Sequence, residues 1–185
     1  MKTIINILIL LLAFFLFYCN EEKKEQATQK QSDTLAQKDT LHYQPTLKDK
    51  EQLMLFYNEI IRYWTSEDWM KEFVGMANSM FTEATKMMNN GENPNPKIQE
   101  MGKAFEEKIW HKYLDILYAS GFKSEEEKVM IEEALSSDST IVAMQNKVET
   151  LTKEFNEKLM KKIDPLRDAF LKKAEEMGAK KKLKQ

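Results

Sequence analysis

Glu107, His111 and Asp115 stand four residues apart in the middle of the chain. On a helix that spacing puts all three on one face, an arrangement that can offer carboxylate and imidazole ligands to a metal ion. A dinuclear centre in a helical bundle draws a Glu-x-x-His motif from each of two helices, and the chain has neither. Its second histidine, His42, lies in a polar stretch. The trio therefore reads as a charged, solvated face, and no metal or other cofactor is expected. Twelve methionines are the next chemical resource, with Met76, Met80, Met87 and Met88 near one stripe. Thioethers bind soft copper(I) or form an adaptable apolar groove, but at helical spacing they read first as core. Tyr57, Trp64, Trp69, Trp110 and Tyr113 have the same two readings, a ligand pocket between helices or core. Lys172, Lys173, Lys180, Lys181, Lys182 and Lys184 make the C-terminus basic. Cations there complement a helix dipole, and as a patch they suit an anionic partner. Nothing resembles a nucleophile elbow, a P-loop or a zinc motif, and the chain reads as a non-enzyme.

The elements that would position these residues are helices. From Ser139 to Gly178 apolar residues recur at steps of three or four: Ile141, Met144, Val148, Leu151, Phe155, Leu159, Ile163, Leu166, Phe170, Ala174 and Met177. This is the helical repeat, sustained over a run of about 55–60 Å. Such a stripe must be covered, so shorter helices are expected to pack on it. Asp164-Pro165 is a helix-start pair inside the run; because the stripe keeps phase, a kink is expected rather than a break.

A first helix is expected from about Thr46 to Trp64, with Leu53, Phe56, Tyr57, Ile60 and Trp64 on its face. Ser66, followed by Glu67 and Asp68, is an N-cap with favourable first-turn charges. It opens a second helix to Asn89, ended by Asn89-Asn90-Gly91. A third helix runs from about Pro96 to Ser120, with Ile98, Met101, Phe105, Ile109, Tyr113, Ile116 and Leu117 in its stripe. Trp110 and Leu114 widen that stripe, which predicts a central position. Ser124-Glu125-Glu126-Glu127 reads as a capping box for a short helix ending near Leu135, and Ser136-Ser137-Asp138-Ser139 as a fresh cap for the long one. Five glycines, four prolines, 42% hydrophobic and 31% charged residues in 185 fit this reading and disfavour turn-rich β folds. The expected fold is an all-α bundle of four to six helices. A formal charge of -2 gives no global bias toward nucleic acid.

The N-terminus is different in kind. Ile4 to Tyr18 is almost wholly apolar after Lys2. Its length of about fifteen residues suits a signal-peptide core better than a span of roughly twenty. The run stops at Cys19, the single cysteine, which has no partner for an intramolecular disulfide. Leu16-Phe17-Tyr18-Cys19 resembles the lipobox of a bacterial lipoprotein precursor, with the leucine and cysteine in place. Phe17 and Tyr18 stand where small residues are usual, which makes it more similar to the relaxed lipoboxes of spirochaetes or Bacteroidetes than to those of enteric bacteria. The resemblance implies diacylglycerol on the Cys19 thiol, cleavage before it, and anchoring of the mature chain in the cell envelope, at the outer membrane. It covers about twenty residues.

Asn20 to Pro45 is polar, with too little apolar surface to offset chain entropy. It reads as a tether whose contour is about 85 Å. The expected organisation is a signal peptide at 1–18, lipidated Cys19 and tether at 19–45, and a helical domain with a basic tail at 46–185. The expected task is binding of a protein or glycan partner. A periplasmic chaperone holding apolar clients in a Met-rich groove is the alternative.

Overall fold

Short-range capping chemistry divides the described residues into five helices. The structure is a computed structural model and describes residues 43–182, with side chains to Met177. Helix α1 spans Leu47–Trp64, α2 Glu67–Asn89, α3 Asn95–Ala119, α4 Glu125–Ala134 and α5 Ser139–Lys182. The described residues are all-α and contain no strand. Thr46 caps α1 in a full capping box: its hydroxyl accepts from the Asp49 N–H at 3.2 Å, and the Asp49 carboxylate accepts from the Thr46 N–H at 2.7 Å. Ser66 caps α2 through the Trp69 N–H at 3.1 Å. Ser124 caps α4 through the Glu127 N–H at 3.2 Å. The return bond of a capping box shifts there by one residue, because the Glu127 carboxylate accepts from the Lys123 N–H at 2.6 Å. Asp138 caps α5, accepting from the N–H groups of Thr140 and Ile141. Gly91 and Gly121 follow α2 and α3 at φ +78° and +92°, the left-handed turn that ends a helix and that side chains with a Cβ resist.

α1 and α2 follow one another along α5 instead of folding back. Lys50 pairs with Asp138 and Tyr57 with Gln145, each 88 residues apart. Farther on, Phe81 packs on Phe170, 89 residues apart (170 − 81). A nearly constant offset means that α1 and α2 both run parallel to α5, in register across the short Thr65-Ser66 break. The Thr65 hydroxyl bonds back to the Ile61 carbonyl at 2.7 Å, and the Ser66 N–H to that of Tyr63 at 3.1 Å, so the break stays tight. α3 returns antiparallel, with Ile98 beside Met80 and Ala84, Phe105 on Trp69 and Phe73, and Tyr113 on Phe56. α4 packs on α1 at the end where α1 and α5 begin.

The central rod is therefore α1–α2, and α3 flanks it. This corrects the central place expected for α3. Trp110, counted with its stripe, is 43% exposed and stacks on Tyr113 from outside. The α5 stripe behaves as its spacing predicts: Ile141, Phe155, Leu159 and Ile163 are buried, and Met144, Val148, Leu166 and Phe170 are half-buried against the core. α5 runs through Pro165 unbroken. Pro165 removes one helix hydrogen bond, but the apolar face on either side is already bound to α1 and α2. Arg167 reaches back to Asp164 at 2.9 Å across that turn.

Tyr43 lies within the stretch read as tether, yet it is half-buried against the core and donates to Asp49 at 2.7 Å. That bond, with burial, pushes its phenol up to about 12. The fold thus takes hold of the chain slightly before its first helix.

Candidate binding site

Two regions gather polar side chains, one at each end of the bundle. At the end where α1 and α5 begin, a knot forms between α1, α4 and α5. Gln145 donates to the Tyr57 hydroxyl at 3.0 Å, and that hydroxyl donates to the Glu132 carboxylate. The Lys128 ammonium ion-pairs with the same carboxylate and stands 5.4 Å above the Phe56 ring. Lys128 is only 3% exposed, which an ammonium tolerates when paired in this way. Burial pushes the Glu132 carboxyl up; Lys128, Tyr57 and Gln145 outweigh it and hold the group below its ordinary 4.5. Burial, then the Glu132 bond, raises the Tyr57 phenol, and burial with the Glu125 charge raises that of Tyr113. The polar atoms of the knot are spent on one another. The knot fixes α4 and α5 against α1, and the sequence reading singled out neither Lys128 nor Glu132, because a Lys and a Glu four residues apart on a helix carry no local sign of burial.

At the opposite end, α2 and α5 enclose a groove of about 490 Å³. Phe81, Leu166, Ala169 and Phe170 form its apolar part. Asn78, Thr82, Thr85 and Asn89 line it from α2, and Lys86 and Lys173 supply its charge. Asn90, just past the end of α2, lines it as well and donates to Glu92 at 3.5 Å; the four uncharged polar residues on α2 itself are spaced i, i+4, i+7 and i+11, which sets them on a single face of that helix. Among the described residues no carboxylate lines the groove. Lys86 lies 3.7 Å from Glu83.

The residues singled out by sequence are divided among these regions. Glu107, His111 and Asp115 are exposed on α3, and among the described residues no three His, Cys, Asp or Glu side chains converge as a metal site would require. Tyr57, Trp64, Trp69 and Tyr113 are core: Trp69 stacks on Phe105 at 5.5 Å and meets Trp64 edge-on at 4.7 Å. Met80 is enclosed with Ala84 and Ile98, and Met76 and Met101 pack on them, so this part of the methionine stripe fills core between α2 and α3. Met87 and Met88 are half-buried. Of the C-terminal lysines, Lys172 and Lys173 are exposed, and Lys173 reaches the groove. Cys19 and Lys184 lie outside the described residues, as do the side chains of Lys180, Lys181 and Lys182. The groove itself escaped the sequence reading, although the run Asn78, Thr82, Thr85, Asn89 was its visible half.

No family model, curated protein or solved structure matches this chain. Among the described residues no helix is long and apolar enough to cross a membrane.

Proposed function

We propose that this protein is a lipid-anchored helical component of the bacterial envelope, acting by binding and not by catalysis. The observation that carries the anchor is Leu16-Phe17-Tyr18-Cys19 at the end of an apolar run, followed at once by a polar stretch. Acyl chains on Cys19 contribute about 0.8 kcal/mol per buried CH₂, so several chains on one residue hold firmly where one does not. The proposed location is the outer membrane, on its surface or periplasmic face.

The layout of the domain supports a presenting role. Tyr43, where the tether joins, sits at the end with the starts of α1 and α5. From Ile141 to Lys173 α5 rises about 48 Å, so the groove is held far from the point of attachment. Metabolic labelling with an alkynyl palmitate tests the anchor. Label on the wild-type chain and none on Cys19→Ala is the expected result. Label retained by Cys19→Ala, or an unlabelled wild-type chain, overturns it. Protease treatment of intact cells then separates the two faces: release of the helical domain places it outside, and protection until the envelope is breached places it in the periplasm.

A further inference from the structure

We infer that the groove between α2 and α5 binds a saccharide carrying a single acidic group, such as a uronate. The inference rests on the domain being a binding module and is independent of acylation at Cys19.

Three observations carry it. First, Asn78, Thr82, Thr85 and Asn89 form a ladder on one face of α2, at steps of about 5–6 Å. Among the described residues none of these four side chains makes a hydrogen bond, so their capacity is unspent. An amide donates and accepts at once, which suits the paired hydroxyls of a sugar ring. Second, the apolar side is Phe170 with Leu166 and Ala169, half-buried or exposed along the groove, a surface for the C–H face of a pyranose. Third, the charge is positive but small. Lys173 has no carboxylate partner among the described residues, whereas Lys86 shares its charge with Glu83. The last turn of α2 also turns its carbonyl end toward this region, a partial negative charge. One net cation fits one carboxylate; a polyphosphate would need more cations and the amide end of a helix. Among the described residues the groove is lined by no carboxylate, which suits an anionic ligand.

The test uses the full-length chain in detergent, with the hyaluronan disaccharide, which carries one glucuronate, as probe and chitobiose as its uncharged counterpart. Isothermal titration gives affinity, and side-chain amide NMR signals report Asn78 and Asn89. The expected result is binding of the hyaluronan fragment with shifts at both amides. Lys173→Gln should weaken it by about fivefold, the scale of an exposed ion pair, and Asn78→Ala should weaken both sugars. Equal affinity for the two sugars removes the acidic group from the assignment and overturns it. Absence of binding, or binding without shifts at Asn78 and Asn89, overturns the groove as the site. Cys19→Ala should bind the sugar unchanged, so failure of the anchor and failure of the groove are read separately.

Discussion

At the end where the chain enters its fold, Lys128, Glu132, Tyr57 and Gln145 turn their polar atoms on one another and leave little to solvent. At the far end, Asn78, Thr82, Thr85 and Asn89 lie side by side and bond to nothing in the described protein. Tyr57 of the first set and all of the second sit on helices packed against α5. The first is closed by α4, which covers α1 there; the second lies beyond the reach of α4 and stays open. A buried ion pair is costly to break because each partner was desolvated for the other. A row of amides and hydroxyls, three of the four exposed, costs almost nothing to change and is available to a ligand. The contrast separates what holds this molecule together from what it can offer.

The largest expected effect is on the closed end. Lys128→Ala leaves the Glu132 charge without its main partner and should cost about 3 kcal/mol of unfolding free energy in urea. A loss comparable to that of an ordinary surface lysine would show that the knot is not closed in solution. Gly121→Ala should cost about 1–2 kcal/mol, because residue 121 sits at φ +92° and its new Cβ would meet the Gln52 amide nitrogen at 2.5 Å. Tyr57→Phe removes the bridge between Gln145 and Glu132 and should cost about 1 kcal/mol.

Acid sharpens the same comparison. The Glu132 carboxyl is held below 4.5 in the fold, so the folded state binds its proton less readily than the unfolded one. Its contribution is complete above pH 4.5 and is lost as pH falls through the lowered folded value. Denaturation midpoints should therefore fall with acid more steeply in the wild type than in Lys128→Ala, and parallel acid limbs would refute the pairing. Smallest of all, Asn78→Ala and Lys173→Gln should leave stability within about 0.5 kcal/mol of wild type. A larger loss would mean that the groove residues serve the fold.

Much of this was legible residue by residue. Ser66, Ser124 and the run Ser136-Ser137-Asp138-Ser139 announced three helix starts because a cap acts within three residues of itself. Asn89-Asn90-Gly91 announced an end for the same reason. The apolar stripe of the last helix kept its phase through Pro165, and the helix did too. Trp110 was misjudged: its spacing equals that of buried neighbours, and only the position of α3 outside the α1–α2 rod leaves it exposed. The groove was half legible, since its α2 ladder has helical spacing, but Leu166, Phe170 and Lys173 meet that ladder from far along the chain. Tyr43 shows the reverse case, a residue in a polar stretch that finds a core contact and a carboxylate partner.

By itself the sequence determined that the domain is helical, where its helices begin and end, and which face of each is apolar, because periodicity and capping are local physics. It also carries the lipobox-like cysteine, a signal read from contiguous residues. Tertiary structure alone decided that α1 and α2 run in line beside α5, which paired charges become a buried knot, and which polar residues are left facing a groove. Those outcomes depend on register between segments about ninety residues apart, fixed by how complementary side chains interlock and by nothing within reach of a single turn of helix.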